Sequence, residues 1–278
     1  MDDLAKQPDL KLAPTSDLLE TELSKIDSFL HSERLIDTAS FRQVAAALER
    51  VRGSTRRAKT FSANGGALTL LTGAYGVGKT TILRYYAVQA DLIYFEFPSN
   101  ARGAKDLMMM IYQSMPELES GDAWHIRRSA VLTQLKESPK VFCIDEAQRM
   151  NEQCFDLLRY LTDQTGSRAI LSAAPSLEAR IAKWPAIDSR VGRRIRVKPV
   201  ELNEAVEILA PLQLDEEVAC IIYKQASGSI RIMENIVNQL GATLEDQHDS
   251  GNAISLYDLS PEDVHAIAAE VVRRGGNS

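Results

Sequence analysis

Cysteine is scarce in this 278-residue sequence. The three present, Cys143, Cys154 and Cys220, are widely separated and each sits among apolar neighbours. That spacing builds neither a disulfide framework nor a cysteine zinc site, so three small core residues are expected. The four histidines, His31, His125, His248 and His265, keep no ligand spacing with one another or with a cysteine, and no metal site follows from them. Long apolar runs are also missing. No uninterrupted stretch reaches the roughly 18 residues of a membrane-spanning helix, so no membrane partner is expected. The opening "MDDLAKQPDLKLAP" is polar and has the pattern of neither a signal nor a transit segment; a cytoplasmic location is the expectation. Excess positive charge is lacking as well. A net charge of −6 argues against a protein that coats nucleic acid by bulk attraction. The acidity is uneven: residues 201–278 hold 14 acidic and 4 basic residues, and residues 1–200 hold 24 acidic and 28 basic.

What is present is ample apolar content, 45%, enough for a packed core. Residues 1–37 contain one amphipathic run, "SDLLETELSKIDSFL", read as a helical extension. A second helix, "TASFRQVAAALERVRG", is predicted to end at Gly53, with the basic link "STRRAK" after it. From there the pattern becomes short apolar runs separated by helix-length segments: "ALTLLT" (67–72), "LIYFEF" (92–97), "VFCID" (141–145), "AILSAA" (169–174) and "RIRV" (194–197). Such alternation indicates an α/β domain, a parallel sheet covered on both faces, over residues 38–200. After Pro199 only helical candidates remain, so residues 201–278 are read as a small helical domain. Its last helix opens with Ser260 as N-cap, Pro261 next and Asp263 completing a capping box.

The run Gly73, Ala74, Tyr75, Gly76, Val77, Gly78, Lys79, Thr80, Thr81 fits G-x-x-x-x-G-K-[ST] between a predicted strand and a predicted helix. Glycines let backbone N–H groups wrap phosphates, and the helix N-terminus adds partial positive charge. Lys79 is placed to reach the β/γ-phosphates and the Thr80 hydroxyl to ligate Mg²⁺, so ATP and Mg²⁺ are the expected ligands. The segment "KVFCIDEAQ" supplies a partner: Asp145 and Glu146 at the carboxyl end of a buried strand, where ligand groups of parallel sheets collect. Asp145 suits the metal, and Glu146 suits a base for the attacking water.

P-loop, "IDEAQ" box and helical lid together resemble an AAA+ ATPase over roughly residues 40–272. The resemblance implies a sensor arginine in a lid G-x-x-R helix start, which "GSIR" supplies as Arg231. It also implies an arginine finger before the last core strand, acting on a neighbour's nucleotide within a homo-oligomer. Arg190 is the candidate finger, with Arg193 and Arg194 as alternatives. Read from the residues alone, Arg194 to Lys198 also fit a half-buried strand with a solvated basic face. The lid sequence and the segment "ARGAKDLMMMIYQSM" are similar to the DNA-transposition regulators, the phage Mu B protein and the TnsC/TniB group. That likeness implies that Arg102 and Lys105 face double-stranded DNA without reading its sequence, and that a transposase is the partner. Two departures stand out. Ala174 occupies a place where that family usually has a polar sensor, with Ser172 on the same face as a substitute, which implies slow, switch-like hydrolysis; and residues 1–37 are too short for an N-terminal helix-turn-helix. A signalling or secretion-associated ATPase acting on protein partners is the alternative, motivated by the acidic C-terminal third.

Overall fold

The computed structural model describes residues 16–31, 38–57, 66–90, 92–101, 103–118, 123–251 and 254–275. In chain order the elements are α1 (Ser16–Leu30), α2 (Ala39–Arg57), β1 (Leu68–Thr72), α3 (Lys79–Ala90), β2 (Ile93–Glu96), α4 (Ala104–Gln113), α5 (Trp124–Glu137), β3 (Val141–Asp145), α6 (Glu152–Thr165), β4 (Arg168–Ala173), α7 (Ser176–Ile181), α8 (Pro185–Asp188), β5 (Val191–Arg196), α9 (Leu202–Leu209), α10 (Glu216–Ala226), α11 (Ile230–Asp249) and α12 (Pro261–Gly275). They form two compact units, Leu35–Val200 and Met1–Arg34 together with Glu201–Ser278.

The first unit is built on a five-stranded sheet of order β2-β3-β4-β1-β5, parallel throughout. β1, β3 and β4 lie in its interior and are buried at every position, which explains their unbroken apolar runs. One face carries Leu68, Leu70, Phe142, Ile144 and Leu171 into a core closed by α4, α5 and α6. The other carries Leu71, Cys143, Ile170 and Ile195 into a core shared with α2 and α3. β5, at the sheet edge, buries Ile195 and leaves Arg193, Arg194 and Arg196 exposed, the solvated basic face that its alternation predicts. α2 does not stop at Gly53. It runs on to Arg57, because Thr55, beyond the expected end of the apolar pattern, is buried one turn after buried Val51, and Thr55 Oγ1 donates to the Val51 carbonyl at 3.0 Å. Cys143 and Cys154 are buried, and burial pushes the Cys143 thiol up to about 12, so it stays protonated in the core; Cys220 is only half-buried.

The second unit is helical. Its Ser260–Asp263 capping box forms as expected: the Asp263 amide donates to Ser260 Oγ at 3.2 Å and the Ser260 amide to Asp263 Oδ2 at 3.2 Å. α1, read from sequence as an extension, packs here. Ile26 is buried against α11, where Gly241 leaves it room, and Glu22 is 1% exposed with Oε2 accepting the Leu256 amide at 2.7 Å. The other oxygen of Glu22 has no hydrogen bond among the described residues. Burial pushes this carboxyl above its ordinary range, opposed by the Leu256 hydrogen bond and the charge of Lys25 and reinforced by Asp258. A raised folded-state value means a contribution to stability that is complete below the unfolded carboxyl value of about 4.3 and is lost as pH rises through the folded one. Glu22→Gln is therefore expected to gain thermal midpoint relative to wild type between pH 4 and pH 8; a constant offset between the two melting curves across that range would contradict it. Among the described residues no helix is long and apolar enough to cross a membrane.

Candidate functional site

The loop from Gly73 to Gly78 leaves the end of β1 and enters α3 at Lys79. Gly76 and Gly78 take positive φ, 76° and 88°, conformations costly to any side chain, and they turn the chain tightly into the helix. The Lys79 ammonium is held at the loop by the carbonyls of Gly73 at 2.9 Å and Ala74 at 2.7 Å. Tyr75 is 64% exposed at the loop apex, its ring 5.9 Å from Lys79 Nζ. Gly78 and Lys79 therefore stand at the N-terminus of a twelve-residue helix, where the direction of the first-turn amides and the helix dipole favour an anion.

β3 brings the acidic partner to the same place. Asp145 is 2% exposed, and its Oδ2 accepts the Thr80 hydroxyl at 2.6 Å. The same oxygen accepts from Tyr94 at 3.4 Å, whose own hydroxyl accepts Arg84 Nε at 3.1 Å. Burial pushes the Tyr94 phenol up, keeping it a neutral donor. Thr80 and Asp145 offer hard oxygen donors and no soft ones, a set that suits Mg²⁺ held by one or two protein groups plus substrate phosphates and water.

Directly after Asp145 the backbone turns through Glu146 in the left-handed region, φ 55°, ψ 31°, uncommon for a residue with a side chain and found most often at functional sites. The turn starts a 3₁₀ segment over Ala147–Arg149 and sets the Glu146 carboxylate among donors. Its Oε2 receives Gln148 Nε2 at 2.6 Å and Arg149 Nη2 at 3.2 Å. Arg149 also binds Glu96 at the end of β2 and the Phe97 carbonyl, each at 3.0 Å. α7 braces both halves. Glu178 accepts the hydroxyl of Thr72, the residue before the P-loop, at 2.5 Å, and the Arg196 hydrogen bond holds its carboxyl below the usual range. Arg180 donates to the carbonyls of Gln148 at 2.5 Å and Met150 at 2.6 Å.

The P-loop residues, Thr80, Asp145 and Glu146 thus meet at one end of the sheet. Ser172 does not join them: it is fully buried and its hydroxyl has no hydrogen-bond partner among the described residues. Of the three finger candidates, Arg190 is bound to Asp163 on α6 through both Nε and Nη2, at 3.0 to 3.2 Å, and Arg194 to Asp188 at 2.5 Å. Arg193 is exposed and makes no ion pair among the described residues. Arg231 is exposed in the first turn of α11, in the helical unit. Lys105 is exposed in the first turn of α4, and Arg102 lies outside the described residues. Sequence reasoning missed Tyr94, Gln148, Arg149, Glu178 and Arg180. Gln148 and Arg149 stand beside the acidic pair in "IDEAQR", and that adjacency was the available signal.

A family described as AAA domain matches residues 63–181. No curated protein matches the chain in sequence. Among solved structures, the chain is similar to Cdc6p of Pyrobaculum aerophilum, with a TM-score of 0.65 at 16% identity over 88% of this chain and 71% of that one. It is also similar to Drosophila ORC bound to DNA, TM-score 0.62 at 15% identity over 96% and 70%, and to the Thermotoga maritima RuvB Holliday junction branch migration motor, TM-score 0.53 at 17% identity over 88% and 73%. The chain therefore carries an AAA-type P-loop domain, on an AAA+ fold shared with Cdc6/ORC and RuvB proteins.

Proposed function

We propose that this protein is a cytoplasmic, ATP-dependent DNA-binding regulator of transposition, which oligomerises on duplex DNA and recruits or activates a transposase. The observation that carries the ATP part is the meeting of Thr80, Asp145 and Glu146 beside the P-loop. In the proposed reaction, Lys79 and the loop amides bind the phosphates of ATP, and Thr80 and Asp145 hold Mg²⁺. Bound there, the metal neutralises charge on the phosphate oxygens. Glu146 takes a proton from the water whose oxygen bonds to the γ-phosphorus as the bond to the bridging oxygen of ADP breaks. Turnover is expected to be slow, because β4 brings no polar side chain at Ala174. Arg231, in the first turn of α11, is kept as the sensor arginine of the "GSIR" motif on the strength of the sequence resemblance alone. For the finger contributed to a neighbouring copy, the free Arg193 is better suited than Arg190, which its own chain already engages.

The DNA part is supported by the α4 surface. Lys105, Met109 and Tyr112 recur at helical spacing on one face, and Arg127 of α5 lies on it, 5.5 Å over the Tyr112 ring with Nη1 3.4 Å from Met109 Sδ. Cations on this face suit a phosphate backbone that is positioned, not read. Repeated along an oligomer, a modest number per subunit suffices, so the net charge of −6 is no obstacle. The fold relative captured with DNA, Drosophila ORC, adds support. The transposase assignment rests on the sequence likeness of the Gly103–Leu107 segment and the lid.

Lys105→Glu is expected to weaken ATP-dependent binding to duplex DNA at low salt and to reduce the log–log salt slope by about 0.9 for each phosphate that is no longer neutralised. Unchanged retention of DNA by this variant and by Arg102→Glu would instead favour the ATPase acting on protein partners, the reading to which the acidic residues 201–278 point.

A further inference from the structure

Gln148 makes three hydrogen bonds that join separate parts of the candidate site. Its side-chain Nε2 donates to Glu146 Oε2 at 2.6 Å, its side-chain Oε1 accepts the Ala174 amide at 3.2 Å, and its backbone carbonyl accepts Arg180 Nη1 at 2.5 Å. The amide has one sensible orientation. Reversed, it would set its NH₂ against the Ala174 N–H and its carbonyl against a carboxylate, replacing two attractions with two repulsions. The Arg180 guanidinium that fixes the backbone is itself stacked 5.5 Å over Trp184 and bonded to the Met150 carbonyl at 2.6 Å, so the support is rigid. The consequence for Glu146 is a difference between its two oxygens. Oε2 is occupied by Gln148 and Arg149, whereas Oε1 makes no hydrogen bond among the described residues.

We propose that Gln148 is a positioning residue of the hydrolytic site. It holds Glu146 so that Oε1 alone accepts the proton of the attacking water, and it ties that carboxylate to the tip of β4, where Ala174 brings no side chain able to do so. The polar contact absent from β4, and not made by the buried Ser172, is thereby delivered from the turn after β3. The inference rests on the proposed ATP hydrolysis.

Its test compares kcat, KM and ATP affinity, measured with a fluorescent ATP analogue, in wild type, Gln148→Ala and Gln148→Glu. Both variants are expected to lose roughly 10–100-fold in kcat, the scale of a base displaced by about an ångström, with ATP affinity within about threefold. Gln148→Glu keeps the shape and the acceptor for the Ala174 amide and removes only the donor to Glu146, so it separates positioning from packing if Gln148→Ala fails to fold. It also places a second carboxylate against Glu146, a repulsion in place of the lost hydrogen bond. Retention of kcat within twofold by either variant overturns the role of Gln148 while leaving hydrolysis at Glu146 standing. Absence of phosphate release by wild type with ATP and Mg²⁺ overturns the hydrolysis reading and this inference with it.

Discussion

Exchanging Glu146 for glutamine is expected to lower the steady-state rate of ATP hydrolysis by roughly 10²–10⁴-fold, the usual contribution of a positioned general base. ATP affinity is expected to stay within a few-fold of wild type. The two halves of this expectation come from different atoms. In the proposed reaction, binding would draw on the P-loop amides, Lys79 and the Thr80–Asp145 pair, none of which uses the Glu146 side chain. Proton transfer would draw on Oε1, which makes no hydrogen bond among the described residues, and an amide there has no basic oxygen to offer. The fold tolerates the exchange: the glutamine carbonyl can still accept from Gln148 Nε2 and Arg149 Nη2, and the half-buried position sits on a turn already held in the left-handed region by its neighbours. Phosphate release measured beside analogue binding separates the outcomes. A variant hydrolysing within about threefold of wild type would remove Glu146 from the chemistry. If hydrolysis releases the assembly from DNA, the same variant is also expected to remain on DNA for longer with ATP.

How much of this was legible in the sequence depends on how local the determining physics is. The three interior strands read directly, because a parallel strand covered on both faces must be apolar at consecutive positions, as "VFCID" is. The P-loop read directly too, since its glycines answer a conformational demand within a few residues. Asp145 could be placed because a strand's carboxyl end is where its side chain emerges. The rest depends on contacts between residues far apart. Nothing local to "SDLLETELSKIDSFL" says that Glu22 will cap Leu256, 234 residues away, or that Ile26 will fill the space at Gly241. Gly53 looked like a helix end because glycine usually is one, but the burial of Thr55 on the next turn carries α2 through it. Arg190 looked like a free cation, and Asp163 on α6, distant in sequence, takes it up. The directions of Gln148 and Arg149 follow from the left-handed turn at Glu146, which the letters "DEAQR" do not announce.

Gly73→Ala is expected to damage the P-loop, and its effect follows from space, not from conformational freedom. A Cβ at Gly73 would lie 2.6 Å from the Val197 carbonyl oxygen and 3.2 Å from both Val197 Cβ and Val77 Cγ2. Neither neighbour yields easily. The Val197 amide donates to the Thr72 carbonyl at 2.7 Å, so moving its backbone parts the end of β5 from β1; Val77 is 3% exposed in the core beneath the loop. Overpacking of this kind costs about 1–3 kcal/mol. The alternative relaxation, rotation of the Gly73 peptide, withdraws one of the two carbonyls that hold Lys79. Either way the loop loses its shape, and ATP affinity is expected to fall by at least about tenfold, the equivalent of about 1.4 kcal/mol, with a lower melting midpoint. Gly103→Ala is the control, because its Cβ would meet nothing nearer than 3.5 Å, and it should bind ATP as wild type does. Val77→Ala should not rescue Gly73→Ala, since the tightest contact is with a backbone oxygen that no side-chain substitution removes. Wild-type ATP affinity in Gly73→Ala would mean that the β1–β5 junction opens at little cost, and the rigid cradle on which the proposed nucleotide chemistry depends would have to be given up.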